Sequence, residues 1–186
     1  MLIIRKTRVC SKNKREVCMV MSINKKSVAQ MTIAIGADHR GFAHKEYLKK
    51  MIAPVGMTIT WLDVGAFNAD RSDYPLFAHA ACQELLAGRA HRAILICGSG
   101  EGMAIAANRF KGIYAALAWN EEVARVSRED DNTNVLALPS DFVTHEQAVA
   151  IVRAWLSAEF QGDPADAKTV RDARYQERIK LLDELG

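Results

Sequence analysis

The 186-residue chain has no apolar run near the ~18 residues of a membrane-spanning helix. Its four cysteines, Cys10, Cys18, Cys82 and Cys97, form no C-x-x-C pair, which disfavours a zinc ribbon or a thioredoxin-like redox site. The histidines His44, His79, His91 and His145 have no metal-ligand spacing, so no metal is expected. Internal repeats and low-complexity stretches are also missing. No secretory signal is recognisable, and the cysteines therefore read as reduced thiols of a cytoplasmic protein. What remains is an ordinary globular mix, 49% hydrophobic and 25% charged. A chain of this length buries roughly 70% of its unfolded surface and needs no staple.

Charge is unevenly spread. Residues 1–30 hold eight Lys or Arg against Glu16; the whole chain is +3 and this stretch +7, which leaves −4 for 31–186. The basic tail is expected to be disordered, or to come from an upstream start-site assignment, with the domain occupying 31–186. Neither nucleic acid nor a membrane is expected as a partner.

From Thr32 onward, strand and helix patterns alternate. Expected strands are Thr32–Ala37, Met57–Val64, Arg92–Cys97, Ile113–Trp119 and Asn134–Leu138. Between them fall helical patterns over Phe42–Ile52, stopped by Pro54-Val55-Gly56, then Tyr74–Leu86, Met103–Phe110 and Glu121–Arg128. Helices His145–Phe160 and Thr169–Leu185 follow. This order implies a five-stranded parallel, Rossmann-like sheet in a three-layer α/β/α sandwich with a C-terminal helix. Right-handed crossovers bring all strand C-termini to one rim, where ligands bind in such folds.

The most specific local signal on that rim is Cys97-Gly98-Ser99-Gly100-Glu101-Gly102. Three glycines between an apolar strand and a helix let the backbone turn tightly, and amides at such a turn can hold a phosphate or a developing oxyanion. A dinucleotide fingerprint has different spacing and follows the first strand, so a nucleotide-binding oxidoreductase has little support. Cys97, where strand meets loop, is a usable base or nucleophile if ionised, although most cysteines after an apolar run are simply buried, the reading given to Cys82. Asp38 and His39 close the first strand and can bind hydroxyls, contact phosphate or move protons. Asp73 and Pro75 look like a helix start, with Tyr74 facing the rim. Arg174 and Arg178 stand four residues apart, a spacing that can grip phosphate, though a solvated charged helix is the default; Arg171 flanks them.

Six blocks together resemble the ribose-5-phosphate isomerase B family, which includes galactose-6-phosphate and allose-6-phosphate isomerases. They are Gly36-Ala37-Asp38-His39-Arg40-Gly41-Phe42, Arg71-Ser72-Asp73-Tyr74-Pro75, Ile96–Gly102, Ile105-Ala106-Ala107-Asn108-Arg109, Asp131-Asn132-Thr133-Asn134-Val135-Leu136, and Arg174 with Arg178. The resemblance implies metal- and cofactor-free aldose–ketose isomerisation of a phosphorylated sugar through an enediolate. It also implies a homodimer with shared active sites, or a tetramer of such dimers. Cys97 would be the base, because some relatives use a Glu where this chain has Met103. Ser99 would move hydroxyl protons, and the amides of Gly98–Gly102 would hold the enediolate oxygen. Asp38, His39, Tyr74, Gly98, Gly100, Glu101, Gly102 and Asp131 would contact substrate, with Arg174 and Arg178 reaching its phosphate from the partner subunit.

Two departures point to an altered substrate. Asp130-Asp131 stands where many relatives have His-Asn, the His being the ring-opening shuttle, and Asp130 is the candidate to replace it. Pro139-Ser140-Asp141 stands where the family tends to carry Gly-x-Arg. A tetrose phosphate such as erythrulose 4-phosphate cannot close a five-membered ring through its esterified oxygen and needs no ring-opening acid. A hexose phosphate and a non-catalytic sugar-phosphate binding protein are the remaining alternatives.

Overall fold

In the computed structural model, which describes residues 29–52, 57–162 and 170–185, β1 (Ala29–Ala37) leads through α1 (Phe42–Met51) to β2 (Met57–Gly65). There follow α2 (Tyr74–Leu86), β3 (Arg92–Cys97), α3 (Glu101–Ala107), β4 (Ala115–Leu117), α4 (Glu121–Asp131), β5 (Val135–Pro139), α5 (His145–Ser157) and α6 (Val170–Leu185). The basic stretch 1–28, the expected helix stop at 53–56 and residues 163–169 lie outside the described residues, as does the Arg171 side chain.

The strands pair in parallel in the order β2-β1-β3-β5-β4. Successive side chains of a strand point to opposite faces, and here both faces are buried. Ile33, Ile35, Ile94, Ile96, Leu136 and Leu138 pack beneath α1, α4 and α5, around the fully buried Trp155. Ala34, Leu95, Cys97, Val135 and Ala137 meet Ala78, Ala81 and Cys82 of α2 and Met103 and Ala107 of α3. Two helical layers on one sheet give the α/β/α sandwich, and each fully buried Ile or Leu contributes roughly 1.5–3 kcal/mol.

Several boundaries differ from the expected ones, two of them for local reasons. Helix α3 starts two residues early because Gly100, at φ 75°, starts it directly from the glycine turn. Helix α4 continues through Asp131, three residues further, since Asn132 ends it in the left-handed conformation and accepts a hydrogen bond from the Arg128 guanidinium. Strand β4, at the sheet edge and paired only with β5, is shorter than expected, Ala115–Leu117.

One buried cation positions the rim. Lys45 falls at the apolar spacing of α1 and is fully buried, with Nζ 2.6 Å from Asp63 Oδ1 and 2.7 Å from the Ala66 carbonyl. Asp63 also accepts from Lys49 Nζ at 2.5 Å. Burial alone would raise the Asp63 pKa, but hydrogen bonds from Lys45 and Lys49 outweigh it and hold the carboxyl below its ordinary value. This network ties the start of the loop after β2 to α1.

Candidate active site

Because β2 lies on one side of β1 and β3 on the other, the loops after β1 and β3 meet at the point where strand order reverses, the usual ligand crevice of such sheets. A cleft of about 440 Å³ opens there, lined by Asp38, Arg40, Tyr74, Cys97, Gly98, Ser99, Gly102, Asp141 and Phe142.

Cys97 ends β3 and is 4% exposed, yet it lines the cleft. Burial pushes its thiol above the ordinary value. Backbone hydrogen bonds from Met103, Gly100 and Ser99 act in the opposite direction and favour the thiolate, while the charge of Asp38 disfavours it. Amides of the glycine turn and of the start of α3 therefore face the sulfur. The left-handed Gly100 makes that arrangement possible, since a Cβ there would lie 2.5 Å from Leu117 Cδ1. Cys82, by contrast, is buried within α2 and its pKa is pushed up to about 11 by burial alone.

Asp38 is 5% exposed and builds the loop after β1: its Oδ1 accepts from the amides of Arg40 at 2.9 Å and Gly41 at 3.0 Å. His39 turns onto the neighbouring loop, where its amide donates to Ser72 Oγ at 3.0 Å and its Nδ1 lies 3.2 Å from the Ser72 carbonyl. It joins the two loops and is not among the cleft-lining residues. Tyr74, the first residue of α2, lines the opening, and Asp73 stands at the N-cap position without a side-chain capping bond. Ser99 and Glu101 are exposed at the glycine turn.

The remaining expected site residues lie apart from this cleft. Asp130 and Asp131 occupy the last turn of α4, and Arg174 and Arg178 are exposed on α6. Burial raises the Asp131 pKa, Asp130 adds to the rise, and Arg178 opposes it, so Arg178 sits near an acid of its own chain. None of the four lines the Cys97 cleft. Three lining residues had no assigned role in the sequence: Arg40, Asp141 and Phe142. Arg40 belongs to the Asp38-His39-Arg40-Gly41 block, yet its partner, Asp141, lies 101 positions away, beyond any local signal.

The described residues contain no helix long and apolar enough to cross a membrane. Residues 33–172 match the family model for ribose/galactose isomerases. The chain is 36% identical over 150 residues to ribose-5-phosphate isomerase B of Escherichia coli, covering 81% of this chain and 93% of that protein. It is 39% identical over 143 residues to D-erythrulose-4-phosphate isomerase 2 of Mycolicibacterium smegmatis, covering 76% of this chain and 94% of that protein. The crystal structure of Mycoplasma genitalium ribose-5-phosphate isomerase B with bound ribulose 5-phosphate is similar at a TM-score of 0.71 and 33% identity, covering 83% of this chain and 95% of that one. The Cys97 cleft at the strand-order reversal, together with this extent of likeness, places the chain in the ribose/galactose isomerase family and makes it an isomerase.

Proposed function

We propose that the chain interconverts an aldose phosphate and a ketose phosphate of the ribose 5-phosphate type, with Cys97 as the base. The observation that carries this reading is a thiol at a cleft wall, beside an acid, with backbone amides trained on it. In the forward direction the Cys97 thiolate takes the proton from C2, breaking C–H and forming S–H. The electron pair moves into the C1–C2 bond and the carbonyl becomes an enediolate oxygen. Cys97 then returns the proton to C1, while Ser99 carries a proton between O1 and O2. Every atom is conserved and no outside oxidant is required. Amides of the glycine turn beside the sulfur stabilise the oxyanion, a contribution of typically ~3–4 kcal/mol per donor.

Arg174 and Arg178 lie outside their own chain's cleft, which favours a homodimer in which each subunit lends these cations to the other's site. Phe67, Leu76 and Phe142 are each more than two-thirds exposed and supply apolar surface for that contact. Free Cys82 and Cys97 fit a cytoplasmic enzyme.

A second reading, a tetrose phosphate as substrate, is favoured by Asp130, the candidate ring-opening acid, not being among the residues that line this chain's cleft. The relative named D-erythrulose-4-phosphate isomerase 2 supports it. Turnover of ribose 5-phosphate, erythrose 4-phosphate and a hexose 6-phosphate, each with wild type and Cys97→Ala, separates the readings. Activity on any of them that is unchanged in Cys97→Ala rejects the assigned base, and no turnover with any of them rejects the isomerase reading.

A further inference from the structure

We propose that Arg40 binds the phosphate of the substrate and that Asp141 is a positioning residue holding its guanidinium in place. The inference rests on the sugar-phosphate reading above and adds to it a residue for recognition. Among the described residues lining the cleft, Arg40 is the one cation, facing two carboxylates, Asp38 and Asp141. A phosphate dianion entering such a cleft is repelled by both acids, and of this chain's own lining residues Arg40 alone offers it an opposite charge, in addition to the arginines proposed to come from a partner subunit.

The guanidinium is held from both ends. The Arg40 amide is bound by Asp38 Oδ1 at 2.9 Å, and the Asp141 amide donates to the Gly98 carbonyl at 3.0 Å, so both backbones are anchored to the strand ends that build the cleft. The Arg40 Nη2 donates to Asp141 Oδ2. The pair lies across Gly98: a Cβ there would come within 2.7 Å of Arg40 Nε and 2.8 Å of Asp141 Oδ2. Glycine next to Cys97 is thus required for the guanidinium to reach the wall of the cleft beside the reacting sulfur. A guanidinium has five N–H donors in a rigid fork, and the bond to Asp141 engages one amino group. The others remain for a phosphate, whose oxygens match that fork. With side chains 57% and 33% exposed, the ion pair adds little to folding. Its position in the cleft gives it a stronger use.

Calorimetric titration of the full chain with ribose 5-phosphate, erythrose 4-phosphate and inorganic phosphate tests the proposal, alongside steady-state kinetics and thermal unfolding. Arg40→Ala is expected to weaken sugar-phosphate binding about 10–100-fold, the usual cost of losing a hydrogen bond to a charged group. The loss should appear in KM, with kcat within about 3-fold, because the contact is made in both ground and transition states. Arg40→Lys should recover part of the loss, and Asp141→Asn, which keeps an acceptor but removes the charge, should lose less than Arg40→Ala. If Arg40→Ala unfolds, Arg40→Gln, which keeps length and polarity, carries the same expectation. Binding within about 2-fold of wild type in a folded Arg40 variant overturns the proposal and leaves the isomerase reading standing. Failure of the wild type to bind any of the three ligands overturns both.

Discussion

The cleft around Cys97 and the patch formed by α4 and α6 contain the same kinds of residue, yet their organisation is opposite. In the cleft, Asp38, Arg40, Tyr74, Cys97, Gly98, Ser99 and Asp141 arrive from the ends of β1, β3 and β5 and the start of α2, all fixed by the sheet. On the patch, Asp131 of α4 feels the charge of Arg178 of α6, and Arg174 is exposed on α6. A sheet rim converges its loops within one chain, whereas an outlying helix projects its charges outward. Side chains of the first region can act alone; those of the second act on substrate only if another copy brings its cleft to them.

The largest effect that separates the two regions is expected at the proposed base. Cys97→Ala should lower kcat by about 10²–10⁴-fold, as for loss of a positioned proton-transfer group, measured at saturating substrate. Next comes the double change Arg174→Ala with Arg178→Ala, which should raise KM by about 10–100-fold with a smaller change in kcat. If the chain pairs as proposed, mixing that variant in equal amount with Cys97→Ala should regain about a quarter of wild-type activity at substrate well below KM, because half of randomly paired dimers would hold one intact site. No recovery on mixing would leave the α6 arginines outside the site. A third effect lies in pH. Burial raises the Cys97 pKa above the ordinary thiol value, so the thiolate that the proposed mechanism needs is the minor form at neutral pH. The rate kcat/KM should climb about tenfold per pH unit toward that pKa, and a profile flat from pH 6 to 9 contradicts a free thiol acting as base. The smallest effect is expected at Asp130→Asn with a tetrose phosphate: with no ring to open, turnover should change by less than about 3-fold, and a larger fall assigns it a proton-transfer role.

The order of strands and helices was legible because both faces of the sheet are covered and its strands read as apolar runs: RAILIC alone announces β3. The Cys97–Gly102 turn was equally legible, since no structural turn of ordinary shape needs three glycines. Lys45 fell on the apolar face of α1 in the periodic pattern, but the reason it can be buried, Asp63 on β2 and the Ala66 carbonyl, depends on tertiary packing. The end of α4 was set by Asn132 in a left-handed conformation and not by the preceding acids. Asp141 shows the clearest limit. In sequence it is an anion added near an anionic ligand; in the fold it holds Arg40 across Gly98, so its charge is paired within the cleft. A pairing between loops after different strands leaves no trace in local spacing.

Proton exchange at carbon gives the most direct test of the central claim. Wild-type chain incubated in D₂O with an aldose phosphate it turns over should place deuterium at the exchanging carbon, followed by NMR, while Cys97→Ala at equal concentration should leave that position protonated. Deuterium entering at the wild-type rate in Cys97→Ala would show that another group removes the proton.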